Sequence, residues 1–583
     1  MTLDFNKRDS AEANKPRPPA PGPFMRPWLS HYDADVPHSL APYPERTLVD
    51  YLSQHAREHG SDAELLFEGN RISWADLERL SDAFATSLIE LGVIPGDRVA
   101  LILPNCPQFL IAEFGAWKAG AIIAPLNPVY PEQELATLLA SSGAKIAVVL
   151  TRYYERLKTF QPRTAITTVI ATSIKEYLKP LTRLLFTAFK EKDEGDRVAL
   201  QGGDLAFAEL LHRDGAPKPA IHVRPEDDAT ILPSGGTTGI PKGVVGSHRN
   251  MVLAGLQLHA WLRSALEDGR DVLMVPLPLF HVYGLIGVQS LSVIARMPLL
   301  LVANPRDIKS MLHAIAHEKP SFFCTVPALL NAMLNHASVL SGKAKFSSLK
   351  ICFSGGAPLM AETIRRYQEL TGGRLIEGYS LTEAQMAVIA NPVRGPNKVG
   401  SVGMPLPDVD VRIVDPDDGI AVLPQGDVGE IILRAPQRMR EYWKNDAETT
   451  LVMREGPDGA TWLYTGDLGY LDEDGYVFIV DRKKDLIKVS GYQVWPREIE
   501  EVIATHPSVA EVGVAAIPDG TKGEVPKAWV VPRTGATIVP EELRAYCRER
   551  LAPYKVPAQI AVAAELPKSG AGKVLRRKLK ELK

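Results

Sequence analysis

The chain has 583 residues, 45% hydrophobic and 23% charged, with a formal net charge of -3. That length is too great for one core and implies about two to four structural units of globular composition, while the charge offers no basic field for nucleic acid. Cys106, Cys324, Cys352 and Cys547 are scattered without a CxxC pair, which argues against a zinc cluster or a disulfide framework and for a reducing compartment.

The first residues lack an apolar stretch, so no secretory signal is expected. Residues 1–30, rich in Pro, Lys and Asp, read as a loosely packed arm. From Leu48 the pattern turns to strands alternating with helices. Ser73 is placed to cap a helix with Leu77, Leu80, Phe84 and Leu88 on one face, ending at Gly92. Strands are expected over 99–103, 121–126 and 145–150, and helices over 109–117 and 132–140. This alternation predicts an α/β fold with a largely parallel, helix-covered sheet.

Over 173–190, Ile174, Tyr177, Leu178, Leu181, Leu185, Ala188 and Phe189 follow helical spacing, with Lys175, Lys179, Arg183 and Lys190 elsewhere around the wheel. The stretch reads either as a surface helix kinked at Pro180 or as a basic amphipathic helix in a membrane interface. Residues 272–295 carry no charge and are long enough to span hydrocarbon. Pro276, Pro278, His281, Gln289 and several glycines make them a buried strand, loop and helix instead.

Between two apolar strands lies Pro233-Ser234-Gly235-Gly236-Thr237-Thr238-Gly239-Ile240-Pro241-Lys242-Gly243. Glycines let backbone amides turn toward an anion, threonines add hydroxyl donors, and a lysine supplies a mobile charge suited to phosphate. It is not a Walker A loop, because Lys242 is followed by Gly243 and a strand, with no Ser or Thr opening a helix. Asn250 is placed to cap the next helix, which carries Met251, Ala254, Gly255, Leu258 and Leu262. Strands follow at 299–302 and 322–326. Those at 349–353 and 374–377 run into Ser354-Gly355-Gly356-Ala357-Pro358-Leu359 and Gly378-Tyr379-Ser380-Leu381-Thr382-Glu383. Small-residue loops at two strand ends suggest a ligand crevice.

Beyond Gly400 the strands alternate as in antiparallel sheets, at 409–414, 429–434 and 476–480, with an Asp474-Gly475 turn. From Asp485 a small α+β unit is expected: a helix opened by Pro496, strands at 509–517 and 528–531, a helix at 540–551 and a basic tail at 573–583. No internal repeat is apparent.

The ordered strings at 234–243 and 378–383, Tyr464-Thr465-Gly466-Asp467-Leu468-Gly469, Asp481-Arg482-Lys483-Lys484-Asp485 through Tyr492, and Pro567-Lys568-Ser569-Gly570-Ala571-Gly572-Lys573 together resemble the adenylate-forming superfamily. Within it the chain looks most like bacterial long-chain acyl-CoA ligases. The resemblance runs from about residue 47 to 579. It implies a large N-terminal domain of α/β subdomains plus a β-barrel piece (31–481), a hinge (482–484) and a small mobile lid (485–583).

The resemblance also implies roles. ATP and AMP would be held by Ser234, Gly235, Gly236, Thr237, Thr238, Gly239 and Lys242, by Gly356, Ala357 and Pro358, by Gly378, Tyr379, Ser380 and Thr382, and by Asp467, Arg482 and Lys573. Tyr379 would stack adenine, Thr382 would lie near the α-phosphate, and Asp467 with Arg482 would take the ribose hydroxyls. Glu383 and Thr237 would serve magnesium, and Lys573, Glu383, Lys242 and Thr238 would be catalytic. Phe280, His281, Val282, Tyr283 and Gly355 would line the acyl pocket, Lys484 would be the hinge position, and Lys488, Ser490, Gly491 and Tyr492 would border the coenzyme A tunnel. The usual Gly-Arg is Asp481-Arg482 here, a departure expected to affect only a turn, and the usual Ser-Gly-Lys is Ala571-Gly572-Lys573.

The reaction expected is ATP-dependent, magnesium-dependent activation of a medium- or long-chain fatty acid to an acyl-adenylate, then transfer to coenzyme A with release of AMP. The alternatives are loading of a carrier-protein thiol, or activation of an aryl carboxylate. A rival of another class is a membrane-associated nucleotide-binding regulator without catalysis, against which Lys573 and Glu383 argue. A cytoplasmic protein is expected, resting peripherally on the inner face of the membrane through 173–190, with a homodimer as a further expectation.

Overall fold

The computed structural model describes residues 26–212, 219–234, 241–357, 359–490, 492–533, 535–568 and 574–582, with only the backbone of Gln493. Two large mixed sheets form the body. In the first, Leu205–Ala206 forms the outer edge. Thr168–Thr172, Ile146–Leu150, Arg98–Ile102, Ile122–Pro125 and Asp228–Ser234 follow it side by side in parallel, and Lys242–Ser247 and Glu441–Tyr442 continue antiparallel. The buried faces of Arg98–Ile102 and Ile146–Leu150 explain their near-continuous Val, Ile, Leu and Ala content. In the second sheet, Arg374–Leu381, Ile351–Ser354, Phe322–Thr325, Leu273–Val275, Leu299–Leu301 and Ala63–Phe67 run parallel. Antiparallel strands flank both edges, Met386–Ala390 with Met404–Pro405 on one side and Asn70–Ser73 on the other.

A third sheet is antiparallel throughout, built from Asp410–Val414, Gly429–Arg434, Met453–Glu455, Thr461–Leu471 and Val477–Arg482. The fourth follows residue 485. It pairs Ile487–Val489, Tyr492–Val494, Val509–Asp519 and Gly523–Pro532, with Gln559–Val562 added in parallel. Its own apolar core includes Ile487, Val494, Ile499, Ile503, Val514, Val530 and Leu543.

The α/β expectation therefore holds, and the local differences have physical causes. Ser73 caps Trp74–Glu90 as expected. The helix after the phosphate loop is His248–Leu262, and its cap is Ser247, not Asn250. Asn250 sits three residues in and returns its side chain to the Ser247 amide, a reciprocal capping box. The stretch 173–190 is not one kinked helix. Ile174–Tyr177 is a 3-10 turn packed against the body, and Pro180 opens a separate helix, Pro180–Phe189. Within 272–295 lie the short strand Leu273–Val275, a π-helical turn at Tyr283–Gln289 and the helix Ser290–Ala295, all largely buried. Among the described residues no helix is long and apolar enough to cross a membrane.

Candidate active site

Asp228–Ser234 and Lys242–Ser247 pair antiparallel with Ser234 opposite Lys242, so the two strands flanking the glycine-rich string are neighbours in the first sheet. Gly235, Gly236, Thr237, Thr238 and Gly239 lie outside the described residues, as do Pro358, Gly491 and Lys573. Lys242 forms an ion pair with Glu448, and its ammonium stands 5.0 Å from the centroid of the Tyr442 ring.

Tyr442 links this strand pair to the second sheet. It lies opposite Val244 in the register of the first sheet, and its hydroxyl donates to Glu383 Oε1 at 2.7 Å. The Glu383 carbonyl accepts the Met439 amide at 2.8 Å. Glu383 is thus tied to the same 439–448 segment that supplies Glu448. Ser380 and Thr382 flank it at the end of Arg374–Leu381, both partly exposed.

The third sheet contributes the most enclosed group. Asp467 lies opposite Arg482 across paired strands, and Arg482 Nε stands 3.0 Å from Asp467 Oδ1. Tyr379, from the second sheet, donates its hydroxyl to Asp467 Oδ2 at 2.5 Å. The Asp467 side chain is only 5% exposed. Burial first, then the neighbouring Asp467 charge, pushes the Tyr379 phenol far above its ordinary value. Asp467 draws the Arg482 guanidinium upward, more than burial lowers it.

Beside this cluster the second sheet opens on an apolar wall. Tyr283 donates to the Phe353 carbonyl at 2.8 Å. A Cβ on Gly355 would stand 3.3 Å from the Tyr283 ring and 3.4 Å from the Gly378 carbonyl. A Cβ on Gly378 would stand 2.4 Å from the Phe353 ring. These glycines are where backbone, ring and strand approach too closely for a side chain. Val282 and Tyr283 are buried, while Phe280 and His281 are partly exposed. Burial pushes the His281 imidazole down to about 4, and its Nδ1 accepts the Tyr283 amide. His281 is therefore neutral near pH 7. Gly356 and Ala357 follow Gly355 at the rim.

A family model described as "AMP-binding enzyme" matches residues 52–443, and one described as its C-terminal domain matches 498–573. The chain belongs to the AMP-binding enzyme family. A long-chain-fatty-acid–CoA ligase of Bacillus subtilis is 36% identical over 561 residues, covering 96% of this chain and 98% of that one. A ligase of the same description from Escherichia coli O6:H1 is 36% identical over 560 residues, covering 95% and 98%. Among solved structures, the ATP-bound MatB of Rhodopseudomonas palustris aligns with a TM-score of 0.78 at 28% identity, covering 91% of this chain and 98% of that one. The o-succinylbenzoate CoA synthetase of Bacillus subtilis, in complex with its acyl-adenylate intermediate, aligns at 0.75 with 26% identity over 93% and 99%.

In this AMP-binding enzyme, among the described residues, Lys242 and Glu383 both meet Tyr442, and Tyr379, Asp467 and Arg482 meet one another. Lys488 and Ser490 are exposed and Tyr492 is 57% exposed, its ring stacked on Tyr554. The Lys484 ammonium is lowered by burial and then by repulsion from Arg482. Sequence reasoning passed over Tyr442, Glu448 and Glu377. Glu377 is buried beside Gly378, and burial pushes its carboxyl up to about 8 with Arg497 opposing. Its carboxylate immediately precedes a recognised string and was available as a signal. Nothing in the spacing announces that Glu448 reaches Lys242.

Magnesium fits Glu383 in one respect. The ion keeps several waters and takes one or two carboxylates plus substrate phosphates, and Glu383 has one oxygen engaged by Tyr442, whose strand pairs with Lys242–Ser247. Among the described residues no group of three or more His, Cys, Asp and Glu forms a metal cage.

Proposed function

We propose that this AMP-binding enzyme is an acid–thiol ligase that activates a medium- or long-chain fatty acid with ATP and transfers the acyl group to coenzyme A. The observation that carries the nucleotide part is Asp467, buried and held between Tyr379 and Arg482. A fixed carboxylate there accepts the two ribose hydroxyls. ATP, magnesium and coenzyme A are the co-substrates and ion of this reaction; Glu383 and Thr237 would hold magnesium, which would shield phosphate charge.

A carboxylate is a poor electrophile because its leaving group would be oxide. Its attack on the ATP α-phosphate expels pyrophosphate and leaves a mixed anhydride with AMP as leaving group. Lys242 must exchange Glu448 for phosphate oxygens, and Lys573 balances charge at the α-phosphate. Phe280, His281, Val282, Tyr283 and Gly355 line the acyl chain's path. In the second step the thiolate of coenzyme A attacks the acyl carbon and AMP leaves. Lys484 is the hinge between a body of 31–481 and a lid of 485–583, and closure by Lys488, Ser490, Gly491 and Tyr492 keeps water from the anhydride. Incubation with palmitate, ATP and magnesium should release AMP and pyrophosphate, with AMP turnover rising when coenzyme A is added. Turnover with benzoate or with a carrier-protein thiol in place of these partners would redirect the reading.

We further propose a peripheral membrane contact through Pro180–Phe189, from the cytoplasmic face. Leu181, Leu184 and Phe189 are 68%, 66% and 73% exposed, and Lys179, Arg183 and Lys190 are close in sequence. Such a helix lies in the headgroup plane by apolar burial and attraction to anionic lipid. Replacing Leu181 and Leu185 by Ser should reduce co-sedimentation with anionic vesicles several-fold at low salt. Binding unchanged by the two serines would return the helix to plain surface structure. The homodimer expectation has no surface assigned to it among the described residues.

A further inference from the structure

The departure at Asp481, read from sequence as a matter of one turn, has a larger consequence in three dimensions. Asp481 is 4% exposed. Its Oδ1 accepts the Arg482 amide at 2.8 Å and Arg576 Nη1 at 2.5 Å, and its Oδ2 accepts the Arg497 amide at 2.9 Å. Arg497 Nη1 donates in turn to the Ile479 carbonyl at 2.6 Å. Arg576 also reaches Asp485 Oδ2 at 3.2 Å and Glu500 Oε2 at 2.8 Å.

These contacts divide into two sets at the segment 482–484. Asp485, Arg497, Glu500 and Arg576 all follow it, so the Arg576 bonds to Asp485 and Glu500 lie within one moving body. Ile479 and Asp481 precede it, so Arg576–Asp481, Arg497–Asp481 and Arg497–Ile479 cross it. A rotation about Lys484 keeps the first set and breaks the second. The division is asymmetric in a useful way. A buried charge stripped of all partners is strongly unfavourable. Arg576 released from Asp481 still has two carboxylates, and Asp481 keeps the amide of Arg482. The crossing bonds can therefore open without stranding a cation in the interior.

We propose that Asp481, with Arg576 and Arg497, is a latch that holds the lid in one of its two working orientations. Asp481 acts as a positioning residue and touches no substrate. The latched orientation is the one described above, in which Lys488, Ser490 and Tyr492 face solvent. On that exposure the orientation is assigned to adenylation, the step that does not use the coenzyme A loop. Transfer to the thiol requires the latch to open. This assignment of orientation rests on the ligase reading above.

The test compares Asp481→Asn with Glu500→Gln in the full-length enzyme. Asp481→Asn should lower palmitate-dependent ATP–pyrophosphate exchange at least tenfold. Thioesterification of supplied palmitoyl-adenylate should stay within twofold of the parent. Glu500→Gln, which weakens only the lid's internal set, should lower both half-reactions in similar proportion. The second arm measures lid orientation directly. All four native cysteines are buried, so dyes on Glu58→Cys in the body and Glu549→Cys in the lid report one distance by single-molecule energy transfer. The parent should show one dominant efficiency without substrates, and Asp481→Asn should add a second population. Equal loss of both half-reactions, loss of neither, or an unchanged efficiency distribution overturns the latch. A parent enzyme that fails to exchange pyrophosphate with palmitate sinks the ligase reading instead, and the energy-transfer arm still decides the latch.

Discussion

The body crevice and the lid hold their polar groups in different ways. In the crevice, Asp467 and Arg482 face each other on paired strands, Tyr379 reaches Asp467 from the second sheet, and the three satisfy one another. Their positions are set by sheet register before any ligand arrives, which is the arrangement electrostatic catalysis needs. In the lid, Lys488, Ser490 and Tyr492 face water, and arginines that cross residues 482–484 govern its attachment. Under the proposed ligase function, a preformed nucleotide site and a re-orientable lid would suit a reaction whose two steps need different groups at one place.

The largest effect expected from this contrast concerns a lid residue that acts in one step only. Lys573→Ala should reduce acyl-adenylate formation by 10²- to 10³-fold, the size of about 2.7–4 kcal/mol of transition-state stabilisation. Thioesterification of supplied acyl-adenylate should be largely retained, as separate assays of the two half-reactions would show. Equal loss in both would mean that the lid does not divide its labour.

Next comes a body residue. Glu383→Gln should lower ATP use about tenfold at limiting magnesium while leaving the unfolding midpoint near that of the parent, because the Tyr442 hydroxyl can still donate to an amide oxygen. A magnesium titration identical to the parent's would remove Glu383 from the ion.

The third tests burial itself and is read in stability, not in activity. The Glu377 carboxyl is raised from an ordinary 4.5 to about 8 in the folded chain. The folded state therefore holds its proton more tightly than the unfolded state. The stability this contributes is fully present below about 4.5 and is lost as pH rises through about 8. Glu377→Gln should remove that slope, leaving the variant, relative to the parent, more stable at pH 8.5 than at pH 5 by on the order of a few kcal/mol. Parallel urea midpoints for both proteins across this range would show that Glu377 is hydrated or paired after all.

Much of the body is legible in sequence because its signals are local. Apolar runs such as 99–103 and 145–150 announce buried parallel strands, and Ser73 announces its helix. The glycine-rich loop reads as strand, loop, strand, and the pairing of Ser234 with Lys242 accords with that. Local signals fail where two candidates compete within one turn, as when Ser247 caps in place of Asn250. They fail again at Pro180, where one continuous apolar stripe spans two separate elements. Glu448 and Asp481 escape for another reason. Each takes its role from a partner roughly a hundred or more residues away, Lys242 in one case and Arg576 in the other. Charge at such separations has no period to read.

The π-helical turn at Tyr283–Gln289 carries a consequence for how such a pocket can change. It fits an additional residue into a turn, which lets Tyr283 reach the Phe353 carbonyl at one end while Gln289 still meets Glu113 at the other. Loss of a single residue there would return the segment to α-helical pitch, leaving the flanking residues in phase and changing the facing of the turn itself. The proposed acyl wall at Tyr283 would then change shape with no substitution at all. For this enzyme, insertion and deletion offer a route to new substrate size that a survey of point variants would never sample.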